Sequence, residues 1–318
     1  METLQKTDRE SVFAPIRDRV GPEADRADLS LARESGTQIR NAMTVDVEDY
    51  FHVAALASVI KRDDWPRMEY RAEESTRKLL DLFAQFEISA TFFVLGWVAR
   101  RSPALVRQIH DAGHEVACHG LSHELIYRQT PKDFALETAE SKSLLEDIIG
   151  ESVLGYRAAS WSITRQSLWA LDVIHDLGFL YDSSIFPIHH DRYGIPGAPT
   201  RVGQVTSPSG HRIVEFPPST ATILGVRVPV AGGGYFRLLP YSLTRFGLKQ
   251  VNAAGEPFIF YLHPWEVDVD QPRIGASWLS RLRHYTNLDK TEVRLRKLLT
   301  EFKCTTVRAV LQEKGLLN

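Results

Sequence analysis

The stretch H-G-L-S-H places two histidines, His119 and His123, four residues apart. On a helical turn that spacing would bring both imidazoles to one face, where they could grip one metal ion. With eleven histidines in 318 residues, the pair gains meaning only if a third ligand stands elsewhere in the chain. The segment T-V-D-V-E-D-Y offers three carboxylates, Asp46, Glu48 and Asp49. One carboxylate oxygen with two imidazole nitrogens would leave a divalent ion, zinc first among them, an open position for water, as in a catalytic rather than a structural centre. A zincin-type protease is disfavoured, because the residue after the first histidine would have to be a glutamate acting as base, and it is Gly120. The base must come from elsewhere.

The elements that must position these groups alternate. A-M-T-V-D-V is a short β-branched run, and S-T-R-K-L-L-D-L-F-A-Q-F-E has Leu79, Leu82, Phe83 and Phe86 at helical spacing, with Ser75 as expected cap. S-A-T-F-F-V-L reads as a second strand. Ser102 and Pro103 open a helix that Gly113 ends, and H-E-V-A-C-H is a third strand. Thr130 and Pro131 open a helix expected to run to about Ile149, before the strand-like V-L-G-Y-R-A. A further helix leads to the strand F-L-Y-D, and loops rich in Pro, Gly and His span Phe186 to Ala231 around one strand, R-I-V-E-F. A helix near Leu239 to Val251, the strand P-F-I-F-Y-L-H and a helical tail from Trp278 to Asn318 complete the chain. Strand–helix alternation implies parallel strands with crossover helices, an α/β fold.

The unusual polar residues fall at the C-terminal ends of these strands: Asp46, Glu48 and Asp49 on the first, His119 on the third, Arg157 on the fourth, Asp182 on the fifth and His263 on the last. In an α/β barrel those ends converge on one face. A set scattered in sequence would become one cluster in space.

Composition removes other classes. The chain is 43% hydrophobic and 25% charged with a formal net charge of −2, which leaves no broad basic field for nucleic acid or an anionic membrane. Two cysteines, Cys118 and Cys304, cannot build a disulfide framework. Residues 1–38 read as a flexible polar leader without an apolar core of the signal-peptide kind, so a soluble, cytoplasmic protein with no membrane insertion is expected.

Five segments in order resemble the motifs of the NodB-type polysaccharide deacetylases, carbohydrate esterase family 4. They are T-V-D-V-E-D-Y (44–50), H-G-L-S-H (119–123), G-Y-R-A-A-S (155–160), Y-D-S-S (181–184) and Y-L-H-P (261–264). More narrowly, D-V-E-D-Y-F-H-V, H-D-R-Y-G-I-P (190–196), G-G-G-Y-F-R-L-L-P-Y (232–241) and L-H-P-W-E-V-D (262–268) resemble the exosortase-associated members of bacterial exopolysaccharide gene clusters. The resemblance implies an irregular, incomplete (β/α)7-type barrel over residues 39–270, with a C-terminal helical extension, 271–318, packed on it.

Carried over residue by residue, the resemblance makes Asp46 the general base and Glu48, His119 and His123 the ligands of a divalent metal, most simply Zn2+. Members of that family commonly have two adjacent aspartates, whereas here the order is D-V-E-D. Strand alternation points Asp46 and Glu48 to the same side, so Glu48 is favoured over Asp49 as ligand, the unused one being a helix cap or a solvent-facing group. Arg157 would hold the base ionised, the backbone N–H near Ser160 would serve as oxyanion donor, and Asp182 would orient His263, the general acid. Ala159 stands where the family often has proline. Trp161, Tyr193, Tyr235 and Trp265 are candidate platforms for pyranose rings, and His52, His189 and His190 are further residues that could line the cleft. The implied substrate is an N-acetylated polysaccharide, and the implied partner is exopolysaccharide assembly machinery. Two other readings keep the fold: hydrolysis of a small cyclic amide, and an inactive carbohydrate-binding relative, against which stands the presence of Asp46, Arg157, Asp182 and His263.

Overall fold

The computed structural model describes residues 38–190 and 192–318. The expected polar leader, all but its last residue, lies outside them. The described strands are β1 (Arg40–Val47), β2 (Thr91–Val94), β3 (Glu115–Cys118), β4 (Gly155–Tyr156), β5 (Tyr181–Asp182), β6 (Gly203–Thr206), β7 (Arg212–Glu215), β8 (Thr220–Ile223), β9 (Val226–Pro229), β10 (Ile259–Leu262) and β11 (Lys303–Thr305). The helices are α1 (Ala72–Gln85), α2 (Gly96–Arg101), α3 (Pro103–Asp111), α4 (Pro131–Ile149), α5 (Ala170–Asp176), α6 (Gly233–Leu238), α7 (Tyr241–Ala253), α8 (Trp278–Tyr285), α9 (Leu288–Glu301) and α10 (Val307–Glu313).

The main sheet runs in the order β10-β1-β2-β3-β4-β5-β7-β6, with β11 also paired to β1. Among the described strands of this sheet only the β6–β7 pair is antiparallel, and β8 and β9 form a separate antiparallel pair. The parallel path from β10 to β7 is the expected α/β arrangement, an incomplete barrel whose end strands do not pair with each other.

Both faces of the sheet are buried, and the pleat sorts side chains between them. Met43, Val45 and Val47 of β1 join Phe92, Val94, Val116 and Cys118 in the core beneath the helices. Ala42 turns the other way, with Phe93 and Ala117, into the barrel interior. Asp46 is paired in register with Phe93 and so shares the interior face. The interior is apolar at the end where the strands begin, because Val307, Val310 and Leu311 of α10 fill it. It is polar where they end.

Three local expectations are corrected. Ser75 lies inside α1 rather than capping it; the Asp49 carboxylate accepts instead from the N–H groups of Arg71 (2.6 Å) and Ala72 (2.7 Å) at the helix start. Ser102 precedes Pro103 as expected, but its hydroxyl donates to Glu73 and makes no cap bond. The tail is not wholly helical, since β11 pairs in register with β1 at Arg40–Ala42. A three-residue strand among longer helices carries too little periodicity to be read from sequence. Among the described residues no helix is long and apolar enough to cross a membrane.

Candidate active site

Asp46 and Glu48 leave the end of β1 on the same side and line one pocket of about 180 Å³ with His119, His123, Ser160, Trp161, His263 and Trp265. Asp46 is buried, and one of its oxygens accepts from Arg157 Nη1 at 2.6 Å. Arg157 is wholly buried; it also donates to the Thr44 and Ser183 hydroxyls and lies 3.9 Å over the Phe93 ring. That cage leaves the guanidinium one orientation and the carboxylate one fixed oxygen.

Glu48, His119 and His123 hold their ligand atoms within 4.8 Å of one another. His119 Nδ1–H donates to the Arg157 carbonyl (2.9 Å), which turns the lone pair of Nε2 into the pocket, where this buried nitrogen has no hydrogen-bond partner among the described residues. His123 Nε2 lies 2.6 Å from Glu48 Oε2. A buried, unpartnered imidazole nitrogen beside a second imidazole and a carboxylate fits a divalent cation. Burial pushes the His119 imidazole down to about 4, so it stays neutral as a ligand must. Burial alone would raise the Glu48 carboxyl, but His123, His263 and His119 outweigh it and hold it well below the usual range.

The histidines do not sit on a helix as their spacing suggested. They occupy a loop in which Gly120 (φ 73°) and His123 (φ 54°) both take the left-handed conformation. His52 lies behind this loop: its Nδ1 accepts from Asp49 N–H, and its ring packs on Trp65 and Trp97. The choice between Glu48 and Asp49 is therefore geometric. Asp49 is occupied by the N–H groups of Tyr50, Arg71 and Ala72, away from the two imidazoles.

His263 stands across the pocket with Nε2 3.9 Å from Asp46 Oδ2 and 3.5 Å from Glu48 Oε1. Its Nδ1–H donates to Glu266 Oε1 at 2.8 Å. The expectation that Asp182 orients this ring is corrected. Asp182 accepts from Ser184 Oγ (2.5 Å) and is paired across the sheet with Glu215, and burial raises both carboxyls above the usual carboxylate range. Sequence reasoning missed Glu266, although a signal existed. In H-P-W-E the fourth residue of a short turn reaches back to the first, as in a capping box, and the His263 N–H also donates to Glu266 Oε1 (3.1 Å). Burial alone would lower the His263 imidazole, but Glu48, Glu266 and Asp46 raise it to about 9. Burial alone would raise the Glu266 carboxyl, but Arg237 and His263 hold it down to about 2.

Ser160 and Trp161 have φ of 50° and 55°, left-handed values that cost a non-glycine residue about 1–2 kcal/mol each. Ser160 lines both the 180 Å³ pocket and an adjoining cleft of about 320 Å³. Tyr193 and Tyr235 line that cleft, as do His190, Tyr127 and Arg192. His189 is exposed and lines neither cavity. Trp161 and Trp265 do not serve as open platforms, since each is 6% exposed. Trp161 packs against Phe186 and Tyr261, and Trp265 is stacked between His263 and His284 while its Nε1–H donates to Glu48 Oε1 (3.3 Å).

Comparison with known proteins agrees with this fold. Residues 59–181 match the family Polysaccharide deacetylase, and residues 183–312 match a Domain of unknown function (DUF3473). The peptidoglycan deacetylase of Helicobacter pylori is 32% identical over 129 residues, 41% of this chain and 42% of the relative. A chitooligosaccharide deacetylase of Sinorhizobium fredii is 29% identical over 99 residues, 31% of this chain and 44% of the relative. The matches thus span less than half of these relatives. Among solved structures, a Mycobacterium smegmatis protein assigned as a polysaccharide deacetylase superposes with a TM-score of 0.58 at 16% identity, covering 89% of this chain and 96% of that one. An allantoinase superposes at 0.55 with 13% identity, covering 85% and 88%. Residues 59–181 thus carry a polysaccharide deacetylase domain.

Proposed function

We propose that this protein is a metal-dependent hydrolase that removes N-acetyl groups from a polysaccharide, in bacterial exopolysaccharide biosynthesis. The observation that carries the reading is the meeting, in one pocket, of a carboxylate fixed by a buried arginine, a carboxylate–imidazole–imidazole ligand set and a histidine held by a second carboxylate. Glu48, His119 and His123 would hold the cation, which when bound polarises the acetamide carbonyl and makes a water more acidic.

Asp46 then takes a proton from the attacking water as its oxygen bonds to the carbonyl carbon. The backbone N–H at Ser160, a residue that lines the pocket, would donate to the negative charge that gathers on the carbonyl oxygen. His263 gives the proton on Nε2 to the departing nitrogen as the C–N electron pair returns to it, and acetate and a free amino sugar leave. The adjoining cleft, with the rings of Tyr193 and Tyr235, suits flanking sugar units better than a small cyclic amide.

The test is acetate release from N-acetylated oligosaccharides with and without chelator, for the wild type and His119→Ala. Release that needs the metal and His119 supports the reading. Release that survives both treatments removes the metal, oligosaccharide binding without release favours an inert module, and turnover of a cyclic amide alone replaces the substrate.

A further inference from the structure

We propose that Arg237 and Glu266 form a positioning pair through which the segment matched to a domain of unknown function aims the acid histidine, a role that rests on the hydrolytic reading above. Every oxygen of Glu266 is committed: Oε1 accepts from both nitrogens of His263 that face it, and Oε2 accepts from Arg237 Nε at 2.6 Å. The remaining guanidinium nitrogens of Arg237 donate to backbone carbonyls at the end of α8. Nη1 reaches those of His284 (2.8 Å) and Thr286 (3.2 Å), and Nη2 that of Arg283 (3.0 Å). These are the carbonyls that a helix end leaves without partners, at its negative pole.

Arg237 is itself held from behind. Arg294 of α9 donates to the carbonyls of Phe236, Arg237 and Leu239, and Asn287 donates to that of Arg237. The guanidinium lies 5.0 Å over the Trp265 ring, which is stacked on His263. The segment from α6 to α9 therefore ends in one carboxylate that pins one face of one imidazole. The opposite nitrogen of that ring is left pointing at Asp46 and Glu48.

A purely structural charge pair at this depth would be replaceable by apolar side chains of similar volume, often without loss. A positioning pair would not, because a displacement of about 1 Å of an acid from its target costs about 10²-fold in rate. The two cases separate by leaving group. An amine departs only with a proton, whereas para-nitrophenolate departs without one.

Arg237→Met and Glu266→Gln are compared with the wild type on an N-acetylated chitooligosaccharide and on para-nitrophenyl acetate. We expect kcat for the amide to fall at least about 10-fold in each variant with KM within about 2-fold, while ester hydrolysis stays within about 2-fold. An equal fall on both substrates, or no fall on either, overturns the proposal. Should Arg237→Met fail to fold, Glu266→Gln keeps the side-chain shape and makes the same comparison. A wild type that hydrolyses the ester but no amide sinks the deacetylase reading itself, and with it this role.

Discussion

Arg157 Nη1 lies 2.6 Å from Asp46 Oδ1, and neither residue is open to solvent. The pair joins the end of β1 to the loop after β4, so the base of the proposed reaction is held by an element remote in sequence. Removing one member leaves the other charge buried without a partner. We expect Asp46→Asn to lower acetate release by about 10²–10⁴-fold. Arg157→Ala should cost about 3–5 kcal/mol of stability in addition to activity. Urea unfolding beside acetate release checks both; an Asp46→Asn protein with normal turnover would remove Asp46 as base.

Glu48 and Asp49 make a paired test of which carboxylate meets the metal. Glu48→Gln should weaken zinc binding by more than the 10–100-fold that loss of a partner hydrogen-bonded to a ligand typically brings, whereas Asp49→Asn should keep the metal. Asp49→Asn should instead destabilise the chain by about 1–3 kcal/mol, because backbone N–H groups at the start of α1 lose a charged acceptor. Isothermal titration with zinc, set against thermal unfolding, separates the two; the reverse pattern would exchange their roles.

His114 gives a pH dependence away from the site. Its ring is packed on Phe83 and Phe92, its Nδ1 accepts from Ala90 N–H, and burial lowers its pKa to about 4 from 6.5. The unfolded chain therefore takes up a proton first as pH falls. The contribution of neutral His114 is complete above about pH 6.5 and drains away toward pH 4. Between pH 7 and 5 the wild type should lose roughly 2 kcal/mol more than His114→Asn. Parallel loss in the two proteins, measured by urea unfolding, would contradict this.

Gly232 has φ of 125° and ψ of −150°, a region open in practice only to glycine, and its backbone presses on that of Tyr261. The contact sets α6, and with it Tyr235 and Arg237, beside the end of β10. Gly232→Ala should cost at least about 1–3 kcal/mol and lower activity through those residues. Gly234→Ala, where a Cβ meets nothing, is the control and should stay within about 1 kcal/mol. Equal effects of the two would remove the backbone contact as the cause.

Tyr193 and Tyr235 are expected to act on binding rather than on the chemical step. Each to alanine should raise KM for an oligosaccharide by about 2–10-fold, the worth of one ring face, with little change in kcat. A change in kcat alone would move them out of the cleft's binding role.

Much of the site was legible because strand periodicity is strict. Asp46 lies on the interior face of β1, and Glu48, just past the strand end where its N–H turns back to the Asp46 carbonyl (3.0 Å), enters the same pocket. The histidine pair was legible as a pair but not in its conformation, which depends on left-handed backbone at Gly120 and His123. Asp182 stands at a strand end like the other site residues, yet its neighbour across the sheet is Glu215, a pairing that strand order decides and local sequence does not. Trp265 looked like a sugar platform because aromatic residues near a motif often are; its burial comes from His284, some twenty residues later in the chain.

The sequence alone determined the alternation of strand and helix and the carboxylates and imidazoles at strand ends, since these follow from local periodicity and side-chain chemistry. Only the tertiary structure decided which carboxylate faces the imidazoles, which acid holds His263, and that Arg237 and the carbonyls of α8 stand behind it. Those outcomes depend on which groups meet across the sheet and at buried helix ends, where every charge must find a partner and the partners are distant in the chain.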